Sequence, residues 1–234
     1  MDSTRVIVEF LKMFWLLIPC ILLVKILKSR WFKGMMGELR VNCTLRFRLD
    51  KNIYHLFTNI TLPTTDGSTQ IDHVIVSKYG IFVLETKNMQ GWISGSKKEH
   101  TWTQSIGMHA RSFQNPLHQN YKHTKTLQEL LDIQTSSIFS LIVFVGKSNF
   151  STAMPKNVVQ GGDYIRWIKA KKKNILTEKK IKDIVSDIEG ARLKNTFRNR
   201  RKHIRHVKHI AEARPLIKEQ PCPVCGLPMV LREV

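Results

Sequence analysis

The chain has 234 residues, a formal net charge of +20 and an isoelectric point near 10.1. This length fits one domain with appendages, and a hydrophobic content of 42% is sufficient for a core. The charge is far larger than solubility requires and implies an anionic partner. Four cysteines in 234 residues do not suggest a disulfide-stabilised protein.

The N-terminus contains an apolar stretch, residues 6–27, which is interrupted by one acidic and two basic residues. Its uncharged core covers residues 13–24, and snorkelling of the flanking lysines would extend it to the length of a membrane span. Basic residues follow where a signal peptide would be cleaved, and they outnumber those before the core. This pattern predicts a single-pass anchor within residues 1–33 and a cytoplasmic C-terminal part, at the inner membrane if the chain is bacterial. An amphipathic helix lying on the membrane is the alternative.

Residues 74–76 and 81–84 are two apolar segments separated by a short break, a pattern typical of a β-hairpin. If the connecting loop has two or four residues, Asp72 lies opposite Glu85. Their Cβ atoms are then about 5 Å apart, close enough for the two carboxylates to share a hard cation. Lys87 projects from the same face as Glu85, because side chains alternate along a strand. The sequence thus predicts two acids and an ammonium group at the open end of a hairpin.

Two alternatives stay open at this point. A bulge at Gly80 would shift the register by one residue and put the two acids on opposite faces. The hairpin end could also face solvent, with the acids flanking a core and Lys87 neutralising them.

Other segments accompany the hairpin, and together they resemble the NERD (nuclease-related) domain over about residues 34–150. The matching segments are Gly37-Glu38, 66–73, 80–87, Gly91, 102–104 and 115–120. This family is placed in the PD-(D/E)XK nuclease-like superfamily. The resemblance implies a restriction-endonuclease-like α/β fold, with a mixed β-sheet flanked by helices, preceded here by the predicted transmembrane helix.

The resemblance also implies a chemistry, which is hydrolysis of phosphodiester bonds in nucleic acid, DNA rather than RNA, with Mg²⁺ or Mn²⁺. The metal ligands would be Asp72, Glu85 and the backbone carbonyl of Thr86. Lys87 would orient or activate the attacking water. Such a metal polarises a phosphoryl oxygen and lowers the pKa of bound water. The alternative function is a non-catalytic nucleic-acid-binding or scaffold module tethered at the membrane.

Two further catalytic assignments come from the resemblance. Glu38 would be the acid on the first helix of the domain, and Gln104 would lie near the scissile phosphate.

A helix is predicted after the hairpin, with Asn115 as its N-cap and Pro116 at its first position. Gln119, His123, Leu127 and Leu131 follow one another at four-residue spacing. One side of the predicted helix therefore changes from polar to apolar along its length. The polar end is expected to approach a site, where the helix N-terminus favours phosphate. The alternative for His123 is a hydrogen-bonded packing residue.

Further elements are predicted downstream. Residues 138–145 are expected to form a buried strand and 158–159 a short one. A helix is expected to begin near Tyr164, and Thr177 is predicted to cap a later helix that ends at Gly190.

Basic residues concentrate in residues 165–214, which carry 17 Lys or Arg against 5 Asp or Glu. Few aromatic residues are interspersed, so the segment favours contacts to the phosphate backbone over base reading. A solvated helix face and anionic lipid are the alternatives. The candidate nucleic-acid contacts are Lys171, Lys172, Lys173, Arg198, Arg200, Arg201, Lys202 and Arg205.

The C-terminus contains Cys222 and Cys225, which look like half of a topoisomerase-type zinc ribbon. A structural zinc site needs four ligands, and no second cysteine pair follows. His203, His206 or His209 could complete it, or two chains could share a metal. A residual knuckle or redox pair is the alternative. The predicted partition is 1–33 anchor, 34–150 nuclease-like domain, 151–214 basic helical extension, and 215–234 partial zinc-ribbon-like end.

Overall fold

The structure is a computed structural model that describes residues 3–64 and 67–192. Five α-helices are described: α1 (Ser3–Lys28), α2 (Arg30–Arg48), α3 (Pro116–Leu131), α4 (Asp163–Lys169) and α5 (Glu178–Ala191). The strands within this part are β1 (Tyr54–Thr64), β2 (Gly67–Ser77), β3 (Gly80–Lys87), β4 (Gly91–Ser94), β5 (Thr101–Ile106), β6 (His109–Gln114), β7 (Ile138–Phe144), β8 (Ser148–Phe150) and β9 (Val158–Gln160). A 3₁₀ turn at Thr135–Ser137 precedes β7.

The central sheet has five strands in the order β1-β2-β3-β7-β9. β1, β2 and β3 form an antiparallel meander, whereas β7 and β9 pair parallel to β3 and β7. The sheet is therefore mixed, and the expected α/β fold with a mixed sheet flanked by helices is confirmed. β7 and β9 also confirm the strands predicted over residues 138–145 and 158–159.

Helices cover both faces of the central sheet, which explains why its strands read as continuous apolar runs. Ile81 and Val83 of β3 pack in the layer formed with α3 and α5. Phe82 and Leu84 point to the opposite layer, which contains residues of α2 and α4. Each of these side chains is fully buried, and each contributes roughly 1.5–3 kcal/mol by leaving water.

The last two helices agree closely with the pattern that predicted them. Thr177 caps α5, since its side chain accepts a hydrogen bond from the Lys180 N–H at 3.3 Å. Ile181, Ile184 and Ile188 form the buried stripe of this helix. α5 ends at Ala191, one residue after the predicted stop, and α4 begins one residue before Tyr164.

A second, four-stranded sheet, in the order β6-β5-β4-β8, was not anticipated from the sequence. Its anchor is Trp102, which is fully buried and stacks on Phe144 of the central sheet with ring centroids 6.3 Å apart. Strand β4 of this second sheet is separated from the end of β3 by three residues.

Within the part of the chain that the structure describes, no helix combines the length and apolar character needed to cross a membrane. The predicted transmembrane anchor is therefore unsupported.

Two glycines of α2 allow a test of how this helix is positioned. A Cβ added at Gly37 would lie 2.5 Å from the Cβ of Asn88, just after β3, whereas one at Gly34 would meet nothing within 4 Å. Because alanine is favoured over glycine inside a helix, we expect Gly34→Ala to raise the free energy of unfolding by about 0.5–1 kcal/mol. Gly37→Ala should instead lower it by about 1–3 kcal/mol, because α2 must move away from β3.

Denaturant unfolding of the full chain, followed by circular dichroism, measures both effects. Equal stabilisation by the two substitutions would show that α2 does not depend on close contact with Asn88.

Candidate active site

The β2–β3 hairpin has the register that brings its acids together. Ser77 pairs with Gly80 across a two-residue connection, and the pairing continues to His73 and Leu84. The next position in this register places Asp72 opposite Glu85. The side chain of Asp72 accepts a hydrogen bond from the Thr86 N–H at 2.8 Å. The predicted register is confirmed, and the bulge at Gly80 is absent from the pairing.

A local irregularity of β1 lies beside Asp72. The β1–β2 ladder pairs Thr58 with His73 and Ile60 with Ile71, but it omits Asn59, which has a left-handed backbone with φ 51°. Asparagine tolerates this conformation better than most residues. Its side-chain oxygen accepts a hydrogen bond from the Gln70 amide at 2.7 Å.

The irregularity changes which face the side chains of β2 point to. Ile71 and Val74 are three residues apart, yet both pack in the core layer formed with α3 and α5. In a regular strand such residues would point to opposite faces. The alternation therefore changes phase at residues 72 and 73.

Lys87 connects the hairpin to α3. Its Nζ atom lies 2.6 Å from Glu85 Oε1 and donates a second hydrogen bond to Gln119 Oε1 at 2.9 Å. The predicted common face of Glu85 and Lys87 is thus present, and Gln119 joins them from the helix. Because Glu85 is almost fully buried, this ion pair is shielded from solvent more than a surface pair would be.

His123 contacts the other oxygen of Glu85. Its Nε2 atom lies 3.3 Å from Glu85 Oε2, and its Nδ1 atom lies 2.9 Å from the Thr69 hydroxyl. The ring is buried, so both nitrogens depend on these two neighbours. The polar end of α3 therefore approaches the acids, as predicted from the change from polar to apolar residues along one side of this helix. Thr69 was not predicted as a site residue, because its role depends on how α3 packs.

α2 brings a third carboxyl group, that of Glu38, to the same edge. Partial burial raises the pKa of Glu38, and the negative charge of Glu85 raises it further. His73 is buried on the α2 side of the sheet and hydrogen-bonds to the backbone of Glu38. Burial lowers the pKa of His73 to about 4, so this ring is neutral at physiological pH.

The two hairpin acids differ in their electrostatics. Burial raises the pKa of Asp72 well above its usual value, and the charges of Glu85 and Glu38 add to this effect. Burial also acts to raise the pKa of Glu85, but the contact with His123 and the charge of Lys87 outweigh it, so that the pKa is lowered. Glu85 is thus stabilised as a carboxylate, whereas the ionised form of Asp72 is disfavoured.

The donor set at this edge fits a hard cation. Carboxylate oxygens are the ligands that Mg²⁺ and Mn²⁺ prefer. Glu85 Oε2 is buried without a hydrogen bond of good geometry, which leaves an acceptor to be satisfied. A set of three or more His, Cys, Asp or Glu side chains arranged to hold a metal is not found among the described residues. A metal here would therefore rely on two carboxylates, backbone oxygen and water.

Two other predicted site residues, Gln104 and Asn115, form hydrogen bonds in other parts of the domain. Gln104 is on β5, where its side chain donates to the Gln90 carbonyl at 2.7 Å. Asn115 is fully buried and caps α3 by accepting from the Leu117 N–H at 2.9 Å. Its amide donates to the Glu99 carbonyl, so Asn115 links α3 to the second sheet.

The candidate basic contacts are only partly described. Lys171 lies over the rings of Phe139 and Trp167, with Nζ 5.0 and 4.9 Å from their centroids, and Lys172 and Lys173 are exposed. The remaining basic candidates, Arg198, Arg200, Arg201, Lys202 and Arg205, lie outside the described residues. The same holds for the histidines 203, 206 and 209 and for Cys222 and Cys225.

The fold and the site define a mixed α/β domain with a carboxylate–lysine cluster at the open end of its central hairpin. Residues 33–145 match the family model of the nuclease-related domain, NERD. The resemblance seen in its motifs is thereby confirmed.

A curated relative, an uncharacterized protein of Bacillus anthracis, is 46% identical over 123 residues. The alignment covers 52% of this chain and 57% of the relative's length. No solved structure matches the chain.

The buried His73 predicts a specific pH dependence of stability. Its pKa falls from 6.5 to about 4 on folding, so the unfolded state binds more protons between these pH values. The protein therefore loses up to about 3 kcal/mol of stability as the pH falls through this window. In His73→Gln we expect a shallower loss, measured by chemical unfolding at several pH values with a chelator present.

His55→Gln is the matched control, because His55 is exposed on β1. Parallel stability profiles of the parent chain and His73→Gln would contradict a neutral, buried His73.

Proposed function

We propose that this protein hydrolyses phosphodiester bonds in nucleic acid, DNA rather than RNA, through Asp72, Glu85 and Lys87 and with a divalent metal ion. The observation that supports this proposal best is the contact of the Lys87 ammonium group with the Glu85 carboxylate. It lies at the same end of the hairpin as Asp72, whose side chain accepts a hydrogen bond from the Thr86 N–H. The nuclease-related domain supports nucleic acid as the substrate class.

The mutual repulsion of the acids supports a metal, because a cation would stabilise the ionised form of Asp72. Asp72, Glu85 and the backbone carbonyl of Thr86 would hold Mg²⁺ or Mn²⁺. When bound, the ion would polarise a phosphoryl oxygen and lower the pKa of bound water.

Each side chain around the acids has its own role in the proposed reaction. Lys87 is held by Glu85 and Gln119, so its ammonium group is placed to orient the attacking water and to attract a phosphate oxygen. His123 orients the carboxylate of Glu85 and is itself oriented by Thr69. Glu38 is the more accessible acid, and its raised pKa suits it to exchange a proton with water.

A cleavage assay tests this proposal directly. The full chain is incubated with labelled single- and double-stranded DNA and RNA in Mg²⁺, Mn²⁺ or chelator. We expect cleavage that requires metal and falls by about 10²-fold or more in Glu85→Gln, which retains the size of the side chain but loses its charge. Glu189→Gln, on the exposed side of α5, should cleave like the parent chain.

Cleavage that survives in Glu85→Gln, or that is absent with every metal and substrate, would rule out catalysis at this site.

A second candidate function is nucleic-acid binding without cleavage. It is favoured by the engagement of Lys87 with two partners and by the two-carboxylate donor set among the described residues. In this case the parent chain would bind nucleic acid equally well with metal and with chelator, and Glu85→Gln would bind with unchanged affinity.

We also propose that α1 attaches the protein to a membrane, with the nuclease-related domain on the cytoplasmic side. Apolar side chains of α1 are exposed, and Lys25 and Lys28 occupy its last turn. The exposed set includes Ile18, Ile21, Leu22, Leu23, Val24, Ile26 and Leu27. Flotation of the full chain with liposomes would support the attachment, and recovery of the chain without lipid would contradict it.

A further inference from the structure

A cleft of about 660 Å³ lies between the second sheet and the start of α2. We propose that this cleft binds a single strand of nucleic acid and guides it to the acid cluster. The inference takes its substrate class from the proposed function. Its lining includes Lys33, Met89, Gln104, His109, Arg111 and Phe113.

The charge of the cleft suits a phosphate backbone. Lys33 and Arg111 contribute positive charges from opposite walls, and neither side chain forms an ion pair with a described residue. No Asp or Glu is among the described residues that line the cleft. Both basic side chains are therefore available to replace the counterions of phosphate groups.

The shape and apolar lining favour a single strand. A cleft of this volume has room for on the order of one or two nucleotides, and a double helix is too wide for it. Met89, Ile106 and Phe113 add apolar surface on which sugars and unstacked bases can pack. A duplex offers its bases only after unpairing, so it should occupy the cleft less well.

The cleft begins directly after the end of β3, the strand that carries Glu85 and Lys87. Asn88 and Met89 directly follow Lys87, and the Asn88 amide donates to the Lys33 carbonyl at 2.5 Å. Gln104 fixes the other wall through its bond to Gln90. The segment that carries Glu85 and Lys87 therefore continues as a wall of the cleft, and a strand held there would extend toward the acids.

The pairing of β5 with β6 identifies the face that points into the cleft. Arg111 pairs with Gln104, and His109 pairs with Ile106, so these side chains share one face with the buried Trp102. Ala110 lies between His109 and Arg111 and points to the opposite face. This alternation provides a matched pair of positions for a crosslinking test.

The first test compares two double variants that each remove two positive charges. Lys33→Gln/Arg111→Gln alters the cleft, and Arg48→Gln/Lys51→Gln alters exposed residues at the end of α2 and just after it. The full chain in mild detergent, with chelator to prevent cleavage, is titrated with a fluorescent single-stranded DNA at several salt concentrations. We expect the salt slope, d log K/d log[salt], to fall in magnitude by about 1.4 in the cleft variant alone.

When the same titration is made with duplex DNA, the salt slopes of the two double variants should differ less. Equal slopes in the two double variants, or equal effects on both probes, would overturn the inference.

The second test crosslinks a bound strand directly. Benzoylphenylalanine replaces His109 or Ala110 in the full chain, and each protein is irradiated with the single-stranded DNA in chelator. We expect a DNA adduct from position 109 and little from position 110. Equal adducts at the two positions, or none at position 109, would overturn the inference.

These outcomes are separable from those of the cleavage assay. Crosslinking at position 109 without cleavage by the parent chain would retain the strand-binding cleft and reject hydrolysis. Cleavage without preferential crosslinking would reject the cleft alone. Matching thermal unfolding curves establish that each variant is folded.

Discussion

The apposition of Asp72 and Glu85 is the constraint on which the rest of the site depends. The carboxylates of buried Glu85 and partly buried Asp72 repel each other and lose hydration, so each needs compensation from its surroundings. Lys87 and His123 compensate Glu85, whereas the Thr86 N–H compensates Asp72 only in part. The resulting cost of ionising Asp72 links the fold to the proposed metal chemistry, because a bound cation would offset it. The phase change beside Asn59 and the close approach of α2 at Gly37 both position groups around this pair.

The hairpin and its register could be predicted because they depend on local rules. β3 is buried on both faces and therefore appears as an apolar run, and a two-residue connection determines which residues face each other. Asn115 and Pro116 likewise begin α3 for local reasons of capping and backbone geometry. The motif resemblance then added Glu38, which spacing could not have placed next to residues of the hairpin.

The remaining features depend on contacts between distant segments. The strands of the second sheet are short and mix polar with apolar residues, and the sheet is anchored by the tertiary contact of Trp102 with Phe144. Thr69 reaches His123 only because α3 packs across the hairpin, and no sequence spacing encodes that contact. Gln104 was expected near the scissile phosphate, and the structure places it on β5 among the residues that line the cleft. Tertiary packing thus determines the approach to the site.

The most direct test of the central claim is the thermal unfolding of Asp72→Asn, with and without Mn²⁺. Asparagine can still accept the Thr86 hydrogen bond but removes the charge. Because the raised pKa of Asp72 means that its ionised form destabilises the fold, the variant should be more stable than the parent chain in chelator. Mn²⁺ at about 100 times its dissociation constant should stabilise the parent by about 2.7 kcal/mol and the variant much less. A variant less stable than the parent in chelator, with equal stabilisation of both by Mn²⁺, would contradict the account.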